Sequence, residues 1–416
     1  MENLLFLTQR IPFPPDKGDK IRSWHILQYL RRTHRIFLGC FVDDPEEHRY
    51  LTELREICAD VASFSISPWS RRLRALVRAR PGQPLTLDYF RDDRLSSWIT
   101  ATVAEHKIRR AFVFSSSMAP YAAALGGSRV LDLVDLDSGK WREYAARRSW
   151  PLSLLLSREA RTLAMFERWA AAEFDQTLLV SDAEVQDFCR DGGNVARVAT
   201  ITNGVDLEYF AAGSYACPYM PGVVPIVFTG AMDYWPNVDA VRWFACRVVP
   251  KLRAAGMPVR FYIVGSRPAR AVRRLAHLPH VEVTGRVADT RPYLAHAFAA
   301  VAPLRVARGV QNKVLEAMAM RTPVVTSPSA SYGIGARRDI DLVVADQPED
   351  WASRLLTLHE NGEERARLGE AGRRWVERHH VWERNLCALD SWFPPSDAPT
   401  CKGSADRRRP EVARAD

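Results

Sequence analysis

The stretch that decides the fold is Val310–Thr326, which reads VQNKVLEAMAMRTPVVT. Polar residues open it, an apolar helical segment follows, and a strand of β-branched residues begins directly after Pro323. Helical spacing puts Glu316 one turn beyond Asn312 and close to Lys313. A carboxylate and an ammonium at a helix start can hold a sugar diol and a phosphate together. An ordinary surface pair on an αβ unit fits the same pattern, so these residues alone leave both interpretations open.

The same alternation of short apolar strands and helices extends over most of the chain and restarts once. Strands that alternate with helices predict parallel sheets covered on both faces. The predicted fold class is therefore α/β, with two Rossmann-like doubly wound domains that face each other across a cleft. The predicted parts are an N-terminal domain at 1–210, a linker rich in Gly and Pro at 211–223, a C-terminal domain at 224–393 and a disordered tail at 394–416. The last helix of the C-terminal domain is a candidate for packing back on the N-terminal domain.

The composition limits the class of protein. The length of 416 residues suits two domains, and the hydrophobic content of 47% excludes global disorder. The net charge of +9 favours an anionic partner such as nucleic acid, a nucleotide-sugar or a membrane surface. Genomic composition that favours arginine is an equal alternative. Neither half contains a GxGxxG after its first strand, which argues against a nicotinamide or flavin enzyme.

The cysteines and the apolar runs indicate the cellular compartment of the protein. The seven cysteines are scattered without a CxxC or a metal-ligand spacing, so reduced thiols are expected. No run approaches the ~20 apolar residues of a transmembrane helix. The chain is therefore expected to be cytoplasmic.

Four blocks of the chain resemble family-4 glycosyltransferases: the Pro/Gly loop at 12–24, the NGVD turn at 203–206, the run VFTGAMDYWPN at 227–237, and 283–327. The runs FTGAMDYWPN and ARGVQNKVLEAMAM further resemble the sugar transferases associated with exopolysaccharide clusters and PEP-CTERM/exosortase sorting. The resemblance implies the GT-B fold and a retaining hexosyltransferase in exopolysaccharide synthesis. Such an enzyme moves a sugar from a nucleotide diphosphate donor to a lipid-linked or saccharide acceptor. It also implies no metal or other cofactor, because the protein itself neutralises the departing diphosphate.

The resemblance assigns donor-binding residues to loops that follow strands. Gly18 lies in the first such loop, where a residue without a side chain lets the backbone approach a ligand closely. In the family the Glu equivalent to Glu316 binds the donor ribose, and the turn after the strand at 281–284 borders the base. The predicted donor-binding residues are Gly18, Gly230, Arg286, Val287, Lys313 and Glu316. A flexible surface loop around Gly18 and a turn with a solvated Arg286 are the alternatives.

Two positions depart from the family pattern. In the family an Arg and a Lys follow the glycine equivalent to Gly230 and clamp the phosphates, but here no basic residue precedes Arg242. Lys313, with Arg305 or Arg308, is the predicted replacement, since cations on a partly dehydrated diphosphate stabilise the leaving group. Arg308 also lies where the family has a Glu that approaches the donor sugar, so the sequence does not determine the identity of the donor.

The first domain lacks the His that many relatives place near the sugar. Its segment VLDLVDLDSGKW instead contains Asp135 and Asp137, which would point to one face of a strand and hold a donor or acceptor hydroxyl. Helix capping by Asp137 and Ser138 is the alternative. The predicted catalytic residues are Lys313, Arg308, Asp137 and Asp135. The predicted acceptor-side residues are Lys17, Lys20, Ser115 and Ser117, although the two serines also fit the start of a helix.

Two segments that mix basic and apolar residues, Trp69–Arg80 and Trp141–Leu156, predict contact with an anionic membrane. A solvated basic face over the core is the alternative. Aromatic residues are not interleaved as stacking on single-stranded nucleic acid requires, so no nucleic acid partner is expected. The predicted partners are a nucleotide-sugar, a polyprenyl-linked or saccharide acceptor, and the inner face of a membrane, where the protein would be peripheral.

Two other functions remain as alternatives. The first is a catalytically silent glycosyltransferase-like subunit that binds nucleotide or polysaccharide, an interpretation that the missing His and the missing clamp pair support. The second is a nucleotide-sugar epimerase on the same fold. An epimerase needs acid and base carboxylates at the sugar C2, and the sequence does not locate them.

Overall fold

The computed structural model describes residues 1–67, 69, 71, 75, 77 and 80–395. Within these residues the chain forms a seven-stranded and a six-stranded β-sheet. The first sheet contains β1 (Glu2–Thr8), β2 (His34–Val42), β3 (Asp60–Ser65), β4 (Arg110–Phe114), β5 (Ser128–Val134), β6 (Gln176–Leu179) and β7 (Val198–Thr200). The second contains β8 (Val224–Thr229), β9 (Val259–Val264), β10 (Val281–Gly285), β11 (Ala299–Ala302), β12 (Val324–Thr326) and β13 (Val343–Val344).

Helices connect the strands of both sheets. Those of the first domain are α1 (Gly18–Leu30), α2 (Leu51–Ile57), α3 (Leu85–Phe90), α4 (Asp93–His106), α5 (Ala119–Ala122), α6 (Asp137–Ala146), α7 (Leu152–Glu173) and α8 (Asp182–Arg190). Those that follow are α9 (Trp235–Arg247), α10 (Val249–Ala254), α11 (Arg270–Arg273), α12 (Arg291–Ala295), α13 (Asn312–Ala319), α14 (Pro328–Ser331), α15 (Pro348–Glu360), α16 (Gly362–His379) and α17 (Trp382–Leu386).

Both sheets have the strand order of a doubly wound fold. The order is β3-β2-β1-β4-β5-β6-β7 in the first sheet and β10-β9-β8-β11-β12-β13 in the second, with parallel pairing. The predicted α/β class with two Rossmann-like domains is therefore confirmed. The order reverses between β1 and β4 and between β8 and β11, and ligands of such sheets bind beyond the carboxyl ends of the strands at that point.

The strands are continuous apolar runs because helices cover both faces of each sheet. In β1, Leu4 and Phe6 pack into an apolar cluster on one face, while Leu5 and Leu7 pack into another. All four side chains are fully buried. Burial on both faces makes the first strand a rigid support for the loop that follows it.

One charged pair crosses the core of the first domain. Arg22 of α1 and Asp132 of β5 are both inaccessible to solvent, with 2.7 Å between Nε and Oδ2. The Arg22 guanidinium also donates to the Ile201 carbonyl oxygen at 2.7 Å and to Asn203 Oδ1 at 3.0 Å. The pair therefore ties α1 and β5 to the segment that leads out of the first domain.

Residues 201–223 connect the two sheets without a helix or a strand. The end of the described chain returns to the first domain, where Trp382, Leu386 and Phe393 join the apolar cluster that contains Leu4. Gly204 lies directly against this returning segment, since a Cβ on Gly204 would come within 2.5 Å of the Trp382 backbone nitrogen. The connection between domains is thus packed against α17.

Two predictions fall largely outside the described residues. These are the amphipathic segment Trp69–Arg80, of which isolated positions are described, and the disordered tail beyond Pro395. Among the residues that the structure does describe, no helix is both long and apolar enough to cross a lipid bilayer.

Candidate functional site

Lys313 lies at the start of α13, beyond the carboxyl end of β11. Its Nζ donates to Asn237 Oδ1 at 2.6 Å and lies 4.6 Å from the centroid of the Phe228 ring. Asn237 Nδ2 donates to the Ala231 carbonyl oxygen at 2.8 Å, which turns the amide oxygen toward Lys313. Within the described part of the chain, no carboxylate forms an ion pair with Lys313. Its positive charge therefore remains available to an anionic ligand.

Glu316 follows one helical turn later and is half-buried. Its carboxylate has no hydrogen-bond or ion-pair partner among the described residues. Both side chains keep part of their surface open to the cleft, but protein surrounds them on most sides. Burial therefore lowers the pKa of Lys313 to about 7 and raises the pKa of Glu316 to about 7. A ligand that offers an anion to Lys313 and hydroxyl donors to Glu316 satisfies both groups.

Two helix starts converge at this point. The N-caps of α1 and α13, Lys17 and Gln311, make no side-chain capping hydrogen bond. A Cβ on Gly18 would lie 3.9 Å from Asn312 Nδ2, so the first residues of the two helices face each other across the cleft. Uncapped amides and the helix dipoles favour negative charge there.

Gly230 lies where a side chain would collide with this site. Its φ of 150° belongs to a region that residues with a Cβ rarely adopt. A Cβ at Gly230 would come within 2.9 Å of Asn237 Nδ2 and 3.4 Å of Lys313 Nζ. The structure therefore places the predicted residues Gly18, Gly230, Lys313 and Glu316 around one cleft.

Arg308, which follows β11, reaches across to the first domain. Its guanidinium lies 2.7 Å from Glu143 Oε1, 2.5 Å from Asp187 Oδ2 and 3.8 Å from Glu184 Oε1. A Cβ on Gly139 would lie 3.0 Å from the Arg308 Cζ, so the guanidinium packs on bare backbone. Three carboxylates surround this cation, and its position does not support the predicted role on the diphosphate. Arg305 is likewise ion-paired with Asp239.

The segment with Asp135 and Asp137 folds differently from the prediction. The strand β5 ends at Val134 and Asp137 begins α6, so an alternation along a strand is wrong for these residues. They meet instead at Lys140, whose Nζ lies 3.3 Å from Asp135 Oδ1 and 3.1 Å from Asp137 Oδ1. Burial alone would lower the pKa of Lys140, but the two carboxylates raise it well above its usual value.

Lys140 is the functional candidate that the sequence analysis missed. It follows Asp137 by three residues, which is a helical pairing distance that the sequence displays once α6 is recognised. Asp135 and Lys140 line a cavity between the domains together with Tyr234, Arg308 and Gln311. The first domain therefore contributes a charged surface to the cleft. It consists of Asp135 and Lys140 with the adjoining Asp137 and is called the charged wall below.

The predicted acceptor-side lysines lie away from this cavity. Lys20 is fully buried and donates to Glu47 Oε1 at 2.7 Å. Lys17 lies 4.0 Å from the same carboxylate oxygen. Because Lys20 is enclosed in an ion pair of the first domain, its position does not support contact with an acceptor.

The hydroxyls of the predicted serines also make hydrogen bonds within the first domain. The hydroxyls of Ser115 and Ser117 donate to Gln9 Oε1 at 2.9 and 3.3 Å, and both residues are buried. The hydroxyl of the intervening Ser116 donates to Asp137 Oδ2 at 3.3 Å. The serine that contacts the charged wall is therefore Ser116.

Arg286 and Val287 follow β10 at another contact between the domains. Arg286 is exposed and lines a cavity that also includes Arg267 and Asp44, whereas Val287 packs against the core of the second domain. Arg267 forms an ion pair with Asp44 of the first domain at 3.0 Å. The turn predicted to border the base thus lies at the edge of the interdomain cleft.

Residues 224–361 match a protein-family model described as "Glycosyl transferases group 1". A search of curated proteins gives no match. Among solved structures, similarity covers 94% of this chain and 99% of Anabaena Alr3699/HepE in complex with UDP and glucose, at a TM-score of 0.66 and 15% identity. It covers 94% of this chain and 98% of the sucrose-phosphate synthase from Thermosynechococcus elongatus, at a TM-score of 0.69 and 15% identity.

The structure is also similar to WaaG, a glycosyltransferase involved in lipopolysaccharide biosynthesis, at a TM-score of 0.64 and 16% identity. That similarity covers 94% of this chain and 100% of WaaG. The two parallel-sheet domains and these neighbours establish the GT-B fold. The family match over the second domain, together with the fold, supports glycosyltransferase activity.

Proposed function

We propose that the protein is a glycosyltransferase that takes a sugar from a nucleoside diphosphate donor and transfers it to an acceptor hydroxyl. The observation that carries this proposal is the proximity of Lys313 and Glu316 where two uncapped helix starts meet. Among the residues that the structure describes, no carboxylate forms an ion pair with Lys313, and Glu316 has no hydrogen-bond partner. The match of residues 224–361 to the group 1 family supports it. So does the fold shared with Alr3699/HepE, whose structure holds UDP and glucose.

In this proposal the diphosphate binds between Lys313 and the starts of α1 and α13, and the ribose hydroxyls donate to Glu316. When the bond between the sugar C1 and the diphosphate oxygen breaks, negative charge grows on that oxygen and Lys313 stabilises it. The acceptor hydroxyl forms the new bond to C1 and gives up its proton to the departing diphosphate oxygen. The sugar is a hexose and the anomeric configuration is retained, as the resemblance to family-4 enzymes implies; NMR of the product anomeric proton tests retention.

Asp135 and Asp137 are assigned to holding a sugar or acceptor hydroxyl. Lys140 already occupies the space between the two carboxylates, so the pair is suited to hydrogen bonding more than to binding a divalent cation. With Lys313 taking the phosphate charge, we expect turnover to survive EDTA. Loss of activity in EDTA and its rescue by manganese or magnesium would contradict this assignment.

The acceptor is assigned to a lipid-linked glycan at the inner face of a membrane, in exopolysaccharide synthesis. Support comes from Trp150, which lies between α6 and α7 and is 76% exposed, and from Leu154 in the first turn of α7, which is 61% exposed. The adjacent Arg147 and Arg148 are also exposed. Basic and apolar side chains in this combination favour an anionic leaflet. We expect the protein to float with phosphatidylglycerol vesicles, the Trp150→Ser variant to float less, and neither to float with neutral vesicles.

The test of the function is release of nucleoside diphosphate from a panel of UDP- and GDP-hexoses, with and without polyprenyl-linked and p-nitrophenyl glycoside acceptors. The proposal predicts release that depends on acceptor and is lost in Lys313→Ala. Binding without release in every combination indicates the silent subunit. Interconversion of the nucleotide-sugar without release indicates the epimerase, and either result overturns the proposal.

A further inference from the structure

Four aromatic side chains, two from each domain, meet at the cleft. Trp141 and Tyr144 lie on α6, while Tyr234 and Trp235 follow β8. The ring centroids of Trp141 and Tyr144 are 5.9 Å apart, and those of Tyr144 and Trp235 are 5.3 Å apart with the rings nearly perpendicular. The Tyr144 and Tyr234 hydroxyls are 3.4 Å apart. These four residues are called the aromatic cluster below.

The aromatic cluster is not part of either hydrophobic core. None of its four side chains is buried, and Tyr234 is 47% exposed. Packing of the domain cores therefore does not account for the cluster. Aromatic residues that gather at a surface between two domains are more typical of a binding site than of a solvated surface.

The aromatic cluster borders the charged wall of the cleft. Tyr234 lines the same cavity as Asp135 and Lys140. On the other side, the Arg148 guanidinium lies 5.1 Å from the centroid of the Trp235 indole. A ligand that rests on the aromatic cluster consequently has carboxylates, an ammonium and phenol hydroxyls around its edge.

This combination selects one class of ligand. A pyranose ring has a face of C–H groups, which packs on aromatic rings, and a rim of hydroxyls, which needs hydrogen-bond partners. A lipid chain is apolar on every side and offers no hydrogen-bonding group to Asp135, Lys140 or the phenol hydroxyls. The predicted nucleotide site is elsewhere, at Lys313 and Glu316.

We propose that the aromatic cluster binds a pyranose ring of the acceptor and directs its hydroxyls toward Asp135 and Lys140. The proposal rests on the proposed function and identifies the side chains that bind its glycan acceptor. Because each domain supplies half of the cluster, the site is complete only when the two domains are in contact. It replaces the lysine and serine positions that the sequence suggested for the acceptor.

The test compares the wild-type protein with Tyr234→Ala, Tyr234→Phe and Trp169→Ala. Trp169 is an exposed Trp of α7 whose ring packs at a tilt against Phe166, and it serves as the matched control. The probes are p-nitrophenyl glucoside, galactoside, mannoside and N-acetylglucosaminide, followed by saturation-transfer NMR, with UDP and GDP titrated in parallel. Thermal unfolding establishes that each variant is folded.

The proposal predicts that at least one pyranoside binds the wild-type protein. Its affinity falls by about fivefold or more in Tyr234→Ala, falls less in Tyr234→Phe, which keeps the ring and loses the hydroxyl, and is unchanged in Trp169→Ala. It is overturned if no pyranoside binds, or if Tyr234→Ala binds as well as the wild type. It is also overturned if Tyr234→Ala loses only binding to phosphatidylglycerol vesicles.

The titrations with UDP and GDP separate this inference from the function it rests on. Nucleoside diphosphate binding that depends on Lys313, without any pyranoside binding, overturns the acceptor site and leaves the transferase intact. Failure of both nucleotides to bind the wild-type protein overturns the proposed function itself.

Discussion

Lys313 differs from the other cations proposed for the diphosphate because no carboxylate in the described part of the chain forms an ion pair with it. Arg308 is surrounded by carboxylates and Arg305 is paired with Asp239. The sequence places Lys313 and Glu316 together because one short helix holds both. It cannot show that Arg308 is paired, since its partner Asp187 lies 121 residues away in the chain. Local spacing therefore predicts that Lys313 and Glu316 lie together, whereas the pairing of Arg308 depends on tertiary contacts.

The Glu316→Gln substitution removes the charge and keeps the shape. A hydrogen bond to a charged group contributes about 1.5–3 kcal/mol, so we expect UDP or GDP affinity to fall roughly tenfold or more. Isothermal titration calorimetry measures this. Glu363→Gln, at the exposed start of α16, is the control that should leave affinity unchanged. Equal affinities for the wild type and Glu316→Gln would remove Glu316 from the ribose site.

Nucleoside diphosphate affinity should depend on pH through Lys313. Burial lowers the pKa of this group to about 7, so the ammonium prevails below that pH and the neutral amine above it. A bound diphosphate favours the ammonium; affinity should therefore fall as the pH rises from about 7 to about 9, with proton uptake on binding. In Lys313→Arg the fall should disappear, because arginine stays charged. A flat wild-type profile over this range would contradict the assignment.

At the scale of elements, apolar runs between turns predict the strands well. The apolar runs at 3–8 and 260–264 predict strands, and the structure forms them as Glu2–Thr8 and Val259–Val264. The residues at 237–255 predict one helix, but the structure divides it near Val248, because Pro250 cannot donate to a continuing helix. The strand β3 was missed because DVASFS carries few apolar residues, and its place at the sheet edge is a tertiary property.

The buried pair between α1 and β5 gives a prediction at this scale. Asp132→Asn leaves the Arg22 guanidinium buried without its counter-charge, which typically destabilises a fold by about 3–5 kcal/mol. Urea unfolding followed by circular dichroism should show a lower midpoint. The control is Asp93→Asn, whose side chain is 83% exposed and whose loss should change little. An unchanged midpoint for Asp132→Asn would mean that the pair does not stabilise the first domain.

For the whole molecule, the alternation of strands and helices and four short motifs predict the two-domain architecture. They do not predict the contacts between the domains. Arg308 with Asp187, Arg267 with Asp44 and Asn203 with Asn312 all join segments that are distant in sequence. Asn203 Nδ2 donates to Asn312 Oδ1 at 2.9 Å, while Asn203 Oδ1 accepts from Arg22. The NGVD turn thus links the core of the first domain to the first residue of α13.

Arg308→Gln should loosen the contact between the domains. The substitution removes the cation that attracts the second domain to Glu143, Glu184 and Asp187 of the first domain, and loss of this attraction favours a wider cleft. Small-angle X-ray scattering should give a larger radius of gyration without ligand, and a saturating nucleoside diphosphate should reduce it. Arg190→Gln is the matched control, because Arg190 also pairs with Asp187 but from within α8. Superimposable curves for the wild type and Arg308→Gln would show that this cluster does not hold the domains together.

The measurement that tests the central claim most directly is the turnover of Lys313→Ala compared with its donor affinity. If Lys313 stabilises charge that develops on the departing diphosphate, kcat for nucleoside diphosphate release should fall by a larger factor than donor affinity, and Lys313→Arg should recover part of the loss. A Lys313→Ala protein that releases nucleoside diphosphate at the wild-type rate would contradict the account.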